Sequence, residues 1–144
     1  MTTLRIPHRL MDDLDGYALE AYPEECCGAL LGQRDSGRAS ETCRVSALWP
    51  TQNVHAGPRP TTGYAIAPEE LLRLHMSARQ QGHEVLGYYH SHPDCGAAPS
   101  STDLAEAGPG VSYLIVAVRG GQVVERRSWR LRSDHTGFDE EQLL

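Results

Sequence analysis

Between residues 10 and 21 apolar side chains recur at helical spacing, Leu10, Met11, Leu14, Tyr17, Ala18 and Ala21, with acids between them. The pattern predicts a helix closed by Pro23. Cys26 to Leu31 is a short apolar run ending at Gly32, the pattern of a buried strand, and Arg38 to Trp49 reads as its antiparallel partner. Pro50 to Gly63, with three Pro and two Gly, is the longest candidate loop and a candidate flap. Tyr64 to Ala67 reads as a brief strand. Pro68 stands where a first helical position is expected, and the acids and apolar residues after it, Leu71, Leu72, His75 and Ala78, predict a second helix up to Gly82. Glu84 to His92 reads as a strand and Thr102 to Ala107 as a short helix. Ser112 to Arg119 and Gln122 to Leu131 read as a hairpin turning at Gly120 and Gly121. The polar, acidic tail from Ser133 is expected to be a frayed helix or a disordered end. The expected architecture is a single α/β domain: a mixed, mostly antiparallel, curved β-sheet flanked by helices over residues 1–132, followed by the acidic tail 133–144.

Length agrees with one domain: 144 residues suffice for a core without disulfides or metal. All thirteen cationic residues are Arg, against nineteen acids, for a net charge of −6. The missing lysine excludes Schiff-base chemistry, a P-loop and a lysine general base. The acidic balance argues against an extended nucleic-acid surface. No apolar run approaches the roughly 20 residues of a membrane helix, and the N-terminus lacks the order of a signal peptide. A soluble, cytoplasmic protein is expected. Cys26, Cys27, Cys43 and Cys95 form no CxxC pair, so reduced thiols are the default.

The candidate chemistry lies in His90-Ser-His-Pro-Asp-Cys-Gly-Ala-Ala-Pro-Ser100-Ser-Thr-Asp103. Residues two apart on a strand share a face, so His90 and His92 can aim both imidazoles at one point. Asp103, at the opening of the next helix, can return a carboxylate as third ligand. Two His and one carboxylate suit Zn²⁺ and leave a fourth position for water, the catalytic arrangement. Proton movement then needs an acid, and Glu24 or Glu25 before the Cys26 strand can supply it. Ser100 is a candidate oxyanion donor, with a capping or turn role as the alternative.

HSHPDCGAAPSSTD has the form HxHx7Sx2D and resembles the signature of the JAMM (JAB/MPN-type) zinc metallopeptidases. The upstream YPEECCGALLG resembles their PxExCGxLxG strand. The resemblance implies a JAB/MPN, cytidine-deaminase-like fold with one Zn²⁺ held by His90, His92 and Asp103, Ser100 stabilising the oxyanion and Glu25 as general acid/base. Glu25 is preferred over Glu24 because it stands two before the cysteine of Cys27-Gly28, matching ExCG. It also implies hydrolysis of a peptide or isopeptide bond. The compact chain looks more like the small prokaryotic members, so the implied substrate is the C-terminal tail of a ubiquitin-like, β-grasp sulfur-carrier protein, bound extended against a sheet edge. Neither nucleic acid nor membrane is expected as a partner, and a homodimer is left open.

Other classes compete. A deubiquitinase-like isopeptidase acting on another substrate shares the chemistry. A zinc deaminase of related fold would need a downstream PCxxC, which is absent. A non-catalytic module predicts lost ligands, and a cysteine hydrolase using Cys95 with His92 would survive chelation. Cys26 and Cys27, adjacent on a strand, face opposite ways and belong by default to packing. Arg126, Arg127, Arg130 and Arg132 are candidates for an acidic partner or for a solvated strand face.

Overall fold

A computed structural model describes residues 2–37, 40–55 and 63–144. The elements follow as β1 (Thr2–Arg5), α1 (His8–Ala21), β2 (Cys27–Ser36), β3 (Glu41–Thr51), α2 (Pro68–Gln80), β4 (Glu84–Pro93), α3 (Ser101–Glu106), β5 (Ser112–Arg119), β6 (Gln122–Leu131) and β7 (Phe138–Leu143). The strands close into a barrel in the order β1-β3-β2-β4-β5-β6-β7. β4 and β5 run parallel at its centre, and antiparallel ladders join β2 to β3 and to β4, and β6 to β5 and to β7.

Burial on two faces explains the near-continuous apolar run of β5. Leu114, Val116 and Val118 meet Leu10, Leu14 and Ala18 of α1, while Ile115 and Ala117 meet Ala97 on the opposite face. α2 packs Leu74 and Ala78 on Ala29 and Leu31 of β2, also opposite α1. Close strand approach requires glycine at several points, Gly32 against the Arg44 carbonyl among them. A Cβ on Gly87 would lie 2.0 Å from the Ser112 carbonyl oxygen, and one on Gly28 would lie 2.3 Å from the Tyr89 hydroxyl.

Several expectations are corrected. β2 continues past Gly32 to Ser36, because its outer half still has β3 as a partner. Tyr64 to Ala67 is not a strand: Ala65 donates its N–H to the Asn53 side chain, which replaces a ladder partner. The segment from Ser133 is neither frayed helix nor disordered. Its end forms β7, which pairs with β6 and with β1, a strand the apolar pattern does not predict. Acidic β7 is tolerated because Glu141, 5% exposed, accepts from the Ser128 hydroxyl at 2.6 Å and lies 3.3 Å from Arg130.

The arginines of β6, and Arg132 just after it, likewise find partners within the chain: Arg126 with Asp15, Arg127 with Glu140, Arg130 with Glu41 and Arg132 with Asp139. Barrel closure restricts free sheet edges to places where neighbouring strands differ in length. Of the candidate flap, residues 56–62 lie outside the described residues. Among the described residues no helix is long and apolar enough to cross a membrane.

Candidate active site

His90 and His92 share the β4 face that carries Tyr88, while Tyr89 points into the α1 core. His90 stands opposite Cys27 of β2. The pairing continues one step beyond the strand: the Cys26 N–H donates to Ser91 Oγ at 2.8 Å, and the Ser91 N–H donates to the Cys26 carbonyl at 3.1 Å. Glu25 follows outward and meets His92. Glu25 is buried and Glu24 exposed, so only one of the adjacent acids faces the imidazoles. A carboxylate oxygen of Glu25 and ring nitrogens of His90 and His92 all lie within 4.8 Å of one another.

The first turn of α3 closes the cluster. Ser100 is its N-cap: Ser100 Oγ accepts the Asp103 N–H at 3.1 Å, and Asp103 Oδ2 accepts the Ser100 N–H at 2.7 Å. The same carboxylate sets Oδ1 3.3 Å from His90 Nε2 and Oδ2 3.2 Å from His92 Nε2. Those two ring nitrogens are 3.1 Å apart. All five sequence-selected side chains therefore gather in one place, with Ser100 serving as a helix cap.

His92 Nδ1 lies 2.9 Å from the Gly96 carbonyl, which can only accept. The neutral ring therefore carries its proton on Nδ1 and turns the Nε2 lone pair inward. Burial drives the His90 pKa below its ordinary value, against the pull of Asp103. At His92 burial acts the same way, but hydrogen bonds to Asp103 and Gly96 outweigh it and the net shift is upward. Burial alone would raise Asp103, yet the two imidazoles hold it well below the usual carboxylate range. Burial pushes Glu25 up to about 7, with His92 opposing and the charge of Asp103 adding.

Two imidazoles and a carboxylate aimed at one point form a donor set that fits a borderline divalent cation such as zinc. Glu25 Oε1, buried and without a hydrogen-bond partner among the described residues, faces the same cluster.

A cleft of about 540 Å³ bordered by Glu25, His92, Cys95 and Ser100 opens on one side of this cluster. A second groove, about 530 Å³ and bordered by Tyr64, Leu71, Tyr88 and Tyr113, opens on the other, and Thr102 borders both.

Residues 7–132 match the family described as prokaryotic homologs of the JAB domain. The chain belongs to this family. It is 37% identical over 99 residues to a desampylase of Haloferax volcanii, covering 68% of this chain and 66% of that one. The chain thus spans just under two thirds of the desampylase's length. It is 32% identical to a probable TtuB-protein conjugate cleaving protease of Thermus thermophilus, over 81% of this chain and 72% of the other. A CysO-cysteine peptidase of Mycobacterium tuberculosis is 28% identical over 85% of this chain and 78% of its own. In structure, the chain resembles a protein of Desulfitobacterium hafniense solved in solution, with a TM-score of 0.80, 31% identity and coverage of 100% and 92%.

Two site neighbours in this JAB domain escape sequence reasoning. Tyr64 stacks on His90, ring centroids 4.4 Å apart, from a segment read as strand. The Asn53 side chain donates to the Glu25 and Gly63 carbonyls at 3.1 and 3.0 Å and accepts from the His55 and Ala65 N–H groups. It ties the approach to Tyr64 onto the Glu25 backbone. No spacing rule signals either residue; an Asn or Tyr in a loop becomes informative only once its contacts are known.

Proposed function

We propose that this chain is a zinc-dependent peptidase or isopeptidase that cuts an amide bond at the C-terminal tail of a ubiquitin-like sulfur-carrier protein. The observation that carries the reading is the convergence of His90, His92 and Asp103 on one point with the buried Glu25 carboxylate beside it. His90, His92 and Asp103 would hold the ion. When bound, zinc acidifies water and polarises a carbonyl as a Lewis acid. Glu25 takes the proton from the attacking water and returns it to the leaving amine, since its carboxylate borders both the imidazoles and the open cleft. Ser100 keeps its Oγ lone pair on the Asp103 N–H, and its hydroxyl hydrogen remains available to the developing oxyanion. Half-buried Tyr64 stacks over the His90 ring on the far side.

Relatives whose names specify a TtuB–protein conjugate and a CysO–cysteine linkage support an amide on a carrier protein as the scissile bond. The proposed location is the cytoplasm, where thiols stay reduced. The test is metal analysis of protein purified without chelator, together with Glu25→Gln and a carrier protein bearing an amide-linked C-terminal amino acid. About one zinc per chain is expected in both proteins. Hydrolysis by Glu25→Gln should fall by roughly 10²- to 10⁴-fold. A parent without zinc, or a fully active variant, overturns the reading.

A further inference from the structure

The loop between β4 and α3 is exposed at residues 94 to 96 and at Ala98, yet Ala97 between them is fully buried. Its methyl packs on Ile115 and Ala117 of β5, with Trp129 of β6 against the cluster. A buried amide outside regular structure has no ladder partner, so side chains must satisfy it. Both partners come from β6. The Ala97 N–H donates to Glu125 Oε1 at 2.9 Å, and Trp129 Nε1–H donates to the Ala97 carbonyl at 2.8 Å.

The Ala97 N–H belongs to the same peptide plane as the Gly96 carbonyl, which accepts from His92 Nδ1 at 2.9 Å. In a trans peptide the C=O and N–H point in opposite directions within one rigid plane. Fixing the N–H on Glu125 therefore fixes where the carbonyl aims. We infer that Glu125 and Trp129 are positioning residues for His92: Glu125 holds the Gly96–Ala97 peptide plane, Trp129 anchors the next plane through the Ala97 carbonyl, and together they keep the His92 proton on Nδ1 and its Nε2 turned toward His90 and Asp103. The carboxylate also polarises the amide it binds, which makes the Gly96 carbonyl a stronger acceptor. Such an outer partner orients a ligating imidazole and raises its basicity. This inference rests on the zinc-site reading above, while its orientation half concerns the protein alone.

The experiment records the His92 tautomer by ¹⁵N NMR in metal-free protein at alkaline pH, and zinc affinity by competition with a chromogenic chelator. The parent is expected to show one tautomer, protonated at Nδ1. Trp129→Phe keeps a ring but loses the N–H, and Glu125→Ala loses the acceptor; each should give a tautomer mixture and weaken zinc binding roughly 10- to 100-fold. Glu125→Gln retains an acceptor oxygen and should restore most of both. Leu74→Val, a core change under α2, should alter neither. An unchanged tautomer in Glu125→Ala and Trp129→Phe overturns the inference, as does equal scrambling by Leu74→Val or, where the parent binds zinc, a tautomer shift without loss of zinc affinity. A parent that binds no zinc yet shows the tautomer effects overturns the zinc reading and leaves the orientation role standing.

Discussion

The Nε2 atoms of His90 and His92 stand 3.1 Å apart, and each lies within 3.3 Å of an oxygen of the same Asp103 carboxylate. At that separation the two nitrogens can share a proton in an N–H···N hydrogen bond, and as two lone pairs they repel unless a positive centre lies beside them. Asp103 reaches both rings because it sits in the first turn of α3, locked by its capping box with Ser100. Strand alternation thus supplies one half of the site and a helix cap the other.

On the proposed zinc reading, an ion bound to this set would stabilise the fold by mass action. At free zinc about 100 times the dissociation constant, the expected gain is about 2.7 kcal/mol, seen as a higher melting temperature that chelator removes. His90→Ala should abolish the increment. A zinc-independent melting temperature in the parent would contradict the ligand assignment.

Ser100 caps α3 and is the proposed oxyanion donor, two tasks that kinetics and stability separate. Ser100→Ala loses the cap, costing about 1 kcal/mol of stability. Loss of an oxyanion donor costs roughly 10²- to 10³-fold in kcat. Ser100→Thr should retain both, whereas an alanine variant that loses stability but keeps its turnover would reduce Ser100 to a cap.

Gly87 lets β4 approach β5. The Cβ of Gly87→Ala would meet the backbone of Ser112 at 2.0 Å, so the strands must part. Overpacking of this kind costs about 1–3 kcal/mol or more. Because β4 carries both histidines, zinc affinity should fall with the melting temperature. Gly110→Ala, at an open turn, offers a contrast: its Cβ meets nothing within 4 Å, but its φ of +77° is costly for alanine, so it should lose stability without losing zinc affinity.

Glu41 gives a pH prediction. Burial would raise its pKa, but Arg130 at 2.8 Å and Arg34 at 3.1 Å reverse the sign and hold it below 4.5. A carboxylate with a depressed folded pKa stabilises the protein fully above the unfolded value and loses that contribution as pH falls through the folded one. Glu41→Gln should therefore be less stable than the parent at neutral pH, with the gap narrowing below about pH 4.5. Urea unfolding across that range measures it, and a gap independent of pH would refute the pairing as its source.

The residues of the site differ in how visible they are before folding. His90 and His92 are legible because the two-residue repeat of a strand is a local rule. Asp103 is legible because helix starts carry capping signals. Tyr64 and Asn53 act through contacts that their loops make with distant segments, which no periodicity encodes. β7 is misread for a related reason: FDEEQL looks solvated until Arg130 and Ser128 supply partners for Glu141.

Composition excluded amine chemistry outright, and short-range spacing was enough to put two imidazoles on one strand face, a carboxylate at a helix start and a glycine hairpin between β5 and β6. Those are local properties, set by backbone geometry over a few residues. The ExCG match already prefers Glu25 over Glu24, but the burial of Glu25 beside His92, the intramolecular pairing of Arg126, Arg127, Arg130 and Arg132 and the closure of the barrel by β7 depend on register between distant strands. Register is decided by the burial of whole faces at once, so these relationships emerge only when α1, the barrel and α2 pack together.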